Sequence, residues 1–146
     1  MKFAALLTWA FAALVGLYLL ATWIAKGGMR RRQPTRPSRF APGLILGHGG
    51  LAASGLAVWV AFLIAKTRPL AWTAFGILMP VAVLGATMFG LWLRGGRQRG
   101  RHAYVPTYAP RHAAEDHFPP PAVLGHGVFA VATVVLVLLT ALRVGH

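Results

Sequence analysis

Phe40-Ala41-Pro42-Gly43-Leu44-Ile45-Leu46-Gly47-His48-Gly49 returns as Phe118-Pro119-Pro120-Pro121-Ala122-Val123-Leu124-Gly125-His126-Gly127, without gaps and at an offset of 78 residues. Phe, Pro and Leu match, as does the whole Gly-His-Gly triplet. Leucine matches mean little between apolar helices; identity at Phe, Pro and Gly-His-Gly is harder to reach by chance. Each copy opens an apolar run long enough to cross a bilayer. The helix before each copy also corresponds: Trp23-Ile24-Ala25-Lys26-Gly27-Gly28 is similar to Trp92-Leu93-Arg94-Gly95-Gly96, one residue shorter. The repeat therefore predicts four helices arranged as two successive helical hairpins.

A helix rising ~1.5 Å per residue needs ~20 apolar residues for a ~30 Å hydrocarbon layer. Four stretches suffice, about 3–25, 42–65, 70–93 and 120–142, separated by polar loops at 26–41 and 94–119 and a tight turn at Lys66-Thr67-Arg68-Pro69. The expectation is an all-α integral membrane protein forming one membrane domain over residues 1–146. The first run competes with a signal peptide. It exceeds a typical signal core and ends in Trp23 and Lys26-Gly27-Gly28, which reads as an interfacial anchor on a retained helix. Pro80 falls mid-span, where a membrane helix tolerates proline with a kink.

The 146 residues carry 15 Lys and Arg against 2 acids, a net charge of +13. In a soluble protein such a balance points to nucleic acid. Here the charge lies between apolar spans, with no RNP-like, finger or helix-turn-helix pattern, so it reads as topology signal and phospholipid contact rather than nucleic-acid binding. The 26–41 loop holds Lys26, Arg30, Arg31, Arg32, Arg36 and Arg39, and the 94–119 loop holds Arg94, Arg97, Arg99, Arg101 and Arg111. The other side has only Lys2, Lys66, Arg68 and Arg143. The positive-inside asymmetry predicts a bacterial inner-membrane protein with both long loops cytoplasmic and both termini outside. Trp23 and Trp92 at one interface and Trp72 at the other fit an aromatic belt.

The composition also excludes chemistry. There is no cysteine, hence no thiolate-held iron–sulfur cluster, covalently attached c-type haem or disulfide. No span contains a carboxylate, which argues against ion-coupled transport and proton pumping. No hydrolase triad, phosphate loop or H-E-x-x-H occurs. His102, His112, Glu115, Asp116 and His117 share the last loop without a metal-binding spacing, and read as a solvated segment in which Asp116 or His117 caps the fourth helix.

The two repeat-equivalent histidines are the candidate site. An intramembrane histidine is expensive without a partner. An even number of spans separates the copies, so they share one orientation about an axis along the membrane normal, and His48 and His126 share one depth. Gly47, Gly49, Gly125 and Gly127 flank them. Helical spacing puts Ala52, Gly55 and Trp59 on the face of His48, and Ala130, Thr133 and Val137 on that of His126. Facing imidazoles among small residues suit the axial ligation of a b-type haem in a four-helix bundle, with Arg39, Arg94 and Arg111 as cations for its propionates. In architecture and His placement the chain resembles the small haem-bearing membrane subunits and cytochromes that exchange electrons with quinones, though it shows no family signature. That resemblance implies an electron-transfer protein binding haem b, with a quinone as a further ligand. Partners would be the bilayer and other membrane subunits or further copies of the chain. The competing reading is a cofactor-free structural or assembly subunit. Gly43, Gly47, Gly50 and Ser54 would then let helices touch, and both imidazoles would hydrogen-bond carbonyls or each other.

Overall fold

The computed structural model describes residues 1–29, 38–101 and 113–143, without side-chain detail for 96–101. Four long helices account for most of it: α1 (Lys2–Ala25), α2 (Pro42–Ala65), α3 (Arg68–Arg101) and α4 (Pro120–Arg143). All four are long and apolar enough to cross a membrane. Phe3, Leu7, Phe11, Leu14 and Tyr18 form an outward stripe along α1, each more than half exposed. In water such a face would be a severe aggregation liability; in lipid it is the ordinary state of a spanning helix.

Helix ends follow local chemistry. Pro42 sits in the first turn of α2, where its missing N–H costs nothing. α1 closes through Gly27, at φ 86°, and Gly28 N–H donates to the Trp23 carbonyl at 2.9 Å. A left-handed residue that lets the chain fold back on its last turn is the usual glycine stop. Lys66 ends α2 in the same left-handed region, at φ 54°, and only Lys66 and Thr67 separate α2 from α3. α3 runs unbroken across Pro80 and continues to Arg101, eight residues past the expected end of its apolar run. Hydropathy marks where lipid ends, not where the helix does, and arginine is a good helix former.

α1 packs chiefly on α4 and α2 on α3, while α2 and α4 occupy opposite corners with no close backbone approach. Two apolar layers fill the interior. One, at the end where the chain begins, gathers Ala5, Trp9, Trp59, Phe62, Ala71, Ala74, Leu78, Val137 and Ala141; the other, at the long-loop end, gathers Trp23, Phe40, Ile45 and Ala114. Trp23 is fully buried, not an interfacial anchor, and its indole N–H donates to Ser38 Oγ at 3.0 Å.

Thr133, expected beside a cofactor, is buried on α4 against α1. Its hydroxyl lies 3.0 Å from Thr8 Oγ1 and 2.8 Å from the Phe129 carbonyl, and Thr8 itself donates to the Ala5 carbonyl. Interhelical side-chain hydrogen bonds in membranes average ~0.6 kcal/mol. Thr133→Val, which keeps the shape, is expected to destabilise the bundle by about that much in a reversible detergent unfolding titration.

Candidate functional site

Between the two layers, His48 and His126 reach from opposite corners and meet, with ring centres 6.1 Å apart and planes inclined by 64°. Each is six residues past the proline that starts its helix, Pro42 or Pro120, so both project from equal helical heights of ~9 Å. Eight residues nearer the loops, Phe40 and Phe118 meet likewise, with ring centres 6.2 Å apart.

The neighbours of the two imidazoles correspond. His48 Nδ1 lies 3.1 Å from the Val81 carbonyl on α3, and His126 Nδ1 lies 2.9 Å from the Ala12 carbonyl on α1. A carbonyl only accepts, so each Nδ1 carries the hydrogen. One turn further along the same helices, Gly85 and Gly16 lie against the same Nδ1–Cε1 edge of each ring. A Cβ on Gly85 would stand 3.1 Å from His48 Cε1, and one on Gly16 would stand 3.2 Å from His126 Cε1. Any side chain at either position would push on the ring. Val81 and Gly85 each follow Ala12 and Gly16 by 69 residues, the spacing that also separates Trp92 from Trp23. Each imidazole thus rests in a cradle built from a carbonyl and a glycine four residues later. Among the described residues neither Nε2 makes a hydrogen bond.

The flanking glycines do something different. Gly47, Gly49, Gly125 and Gly127 have open space where a side chain would project, as do Gly43 and Gly50. Among the described residues nothing packs on them. Side chains of other helices come close at Gly16, Gly85 and Gly55 instead. Gly55, expected to line a pocket, admits Trp9, whose ring would lie 3.0 Å from an added Cβ. Trp59 and Val137 are fully buried in the apolar layer. Ala52 and Ala130, one turn from the histidines, are half-buried.

Of the three arginines, Arg39 is already engaged. Its guanidinium lies over Gly95 and pairs with Asp116 at 2.8 Å. Arg94 is exposed, and Arg111, like His102 and His112, lies outside the described residues. The two acids are not in a solvated segment. They occupy a short 3-10 turn, Ala114–His117, in which Glu115 is fully buried. Asp116 Oδ2 accepts from the Ala113 N–H at 3.0 Å, so it caps this turn rather than α4. A charged side chain adopts such burial only when its oxygens find strong donors; here Ser38 and Arg39 provide them.

Among the described residues no third His, Cys, Asp or Glu joins the histidine pair. Two nitrogens under-coordinate a bare metal ion such as zinc, which takes four ligands. Compared with protein-family models, curated proteins and solved structures, the chain matches none of them.

Proposed function

We propose that the chain is a membrane b-type cytochrome, or the haem-bearing membrane subunit of an electron-transfer complex, with one haem held by His48 and His126. The separation of the two rings supports this most directly. Imidazole nitrogens ligate metals at about 2.0–2.1 Å and lie about 1.1 Å from their ring centre, so two imidazoles that shared one ion would have centres at most about 6.3 Å apart. An in-line N–H···N bond between rings would bring the centres to about 5.1 Å. The observed 6.1 Å is near the first value, and it is also the spacing of an ordinary ring contact such as Phe40–Phe118 at 6.2 Å, so it is compatible with shared ligation without requiring it. Hydrogen bonds from Nδ1 to carbonyls suit a purely structural pair as well. They are also the usual outer-shell support of a metal-bound histidine, fixing the tautomer that leaves Nε2 free to ligate.

A haem held there supplies one-electron oxidation and reduction at iron. The protein's own residues do the rest. Val81 and Ala12 hold the ring tautomers, Gly85 and Gly16 set ring rotation, and the two apolar layers exclude water from either side. With Arg39 engaged by Asp116, Arg94 and Arg111 are the cations proposed for the propionates. One haem nearer one face cannot carry an electron across the bilayer, so a quinone or a partner's cofactor completes the path. Purified protein is expected to show a Soret band, with sharp α and β bands on dithionite reduction.

The proposal extends to arrangement. The two halves are taken as tandem hairpins related by a pseudo-twofold axis along the membrane normal. Residues that meet their own equivalents, Phe40 with Phe118 and His48 with His126, support such an axis. The protein is placed in a bacterial inner membrane with both long loops cytoplasmic, on the eleven-to-four excess of basic residues. Reporter fusions at Arg36 and Pro106 should then read as cytoplasmic and one at Thr67 as external. The opposite pattern would reverse the orientation and leave the four helices intact.

A further inference from the structure

We infer that Glu115 is a positioning residue, whose buried carboxylate locks the segment leading into α2 to the segment leading into α4 and so sets the separation of His48 and His126. Glu115 Oε1 accepts the backbone N–H of Arg39 at 2.6 Å, and Oε2 accepts the Ser38 hydroxyl at 3.0 Å. The Arg39 guanidinium lies 3.8 Å from Oε1 and 2.8 Å from Asp116. Ser38 Oγ also takes the indole N–H of Trp23, which ties the end of α1 into the same lock. Charge-assisted bonds of this kind are roughly twice as strong as neutral ones.

The lock has leverage because little chain separates it from the histidines. Arg39 lies three residues before Pro42, and Glu115 five before Pro120. Each proline starts a helix that carries its histidine six residues on, through hydrogen-bonded turns that neither stretch nor swivel independently. The backbones of α2 and α4 make no close approach to each other, so their spacing at the imidazoles is set at the ends and through α1 and α3. Glu115 joins the two ends directly and from the most buried position, beside the Arg39–Asp116 ion pair and the Phe40–Phe118 ring contact.

The chain has no cysteine, so nitroxide labels placed through Gly50→Cys on α2 and Val128→Cys on α4 report a single distance by pulsed electron paramagnetic resonance. An added side chain at Gly50 meets nothing within 4 Å, and Val128 is 68% exposed, so neither label disturbs packing. In Glu115→Gln the α2–α4 distance should shift or broaden while helix content holds. Haem retention should fall about 10-fold, as for loss of an outer-shell support. Ser38→Ala gives the same change at smaller amplitude should Glu115→Gln fail to assemble. The haem readout rests on the reading of His48 and His126 as ligands; the distance does not. An unchanged distance overturns the proposal whatever the haem does, and a changed distance in a colourless protein keeps it and fails the haem reading instead.

Discussion

His48→Ala and His126→Ala, each made alone, should abolish the low-spin spectrum of the reduced protein and leave its helix content unchanged. Six-coordinate low-spin haem needs both axial nitrogens, and among the described residues no other ligand-forming side chain joins the pair to replace the one removed. The cost to the fold is small by comparison. Each imidazole contributes one hydrogen bond to a carbonyl of a neighbouring helix. Such a bond averages ~0.6 kcal/mol in membranes, against two apolar layers and four helices long and apolar enough to cross a membrane. Spectrum and stability should therefore separate cleanly. His117→Ala, on an exposed residue of the 3-10 turn, should leave the spectrum intact, as should His102→Ala and His112→Ala in the same loop. Wild-type protein that is colourless after expression with ample haem would reject the cytochrome reading in favour of the cofactor-free subunit, in which the same carbonyl bonds merely satisfy two half-buried rings.

The repeat made part of this site readable before any coordinates. Equal offset predicts that His48 and His126 lie at equal heights on their helices, and their rings do meet; apolar run length predicts α2 at 42–65, its observed extent. The cradle was not read, for a physical reason. Helical periodicity reports which residues share a face of one helix, so it offered Ala52 and Gly55 around His48. The atoms that hold the ring belong to another helix. The signal was nonetheless present: carrying the Trp23–Trp92 correspondence backward at the same spacing pairs Gly16 with Gly85 and Ala12 with Val81. Glu115 was missed differently. It stands next to Asp116 and His117 in a segment that reads as a solvated loop, and its donors lie 76 and 77 residues away in the chain, a pairing that no local pattern encodes.

Gly16→Leu and Gly85→Leu should lose haem nearly as fully as the ligand variants, although every histidine is still present. The decision turns on which neighbour yields. At both positions the first atom met is an imidazole Cε1, at 3.2 and 3.1 Å from an added Cβ. Leucine extends well beyond Cβ into the space the ring now fills, and overpacking of this kind costs ~1–3 kcal/mol if nothing moves. The ring is the softest element there, since one interhelical hydrogen bond of ~0.6 kcal/mol holds its rotation. The imidazole swings away and its bond to Ala12 or Val81 breaks, which removes the contact that fixes its tautomer and rotation. Alanine separates this effect from general damage. It raises helix propensity by ~0.8–1.0 kcal/mol over glycine and displaces the ring by only a few tenths of an ångström. Gly16→Ala and Gly85→Ala should accordingly match or exceed the wild type in thermal stability while retaining haem more weakly. Haem titration of all four variants, read beside thermal unfolding, checks the ordering. Wild-type haem retention in both leucine variants would show that the cradle glycines do not govern the ligands.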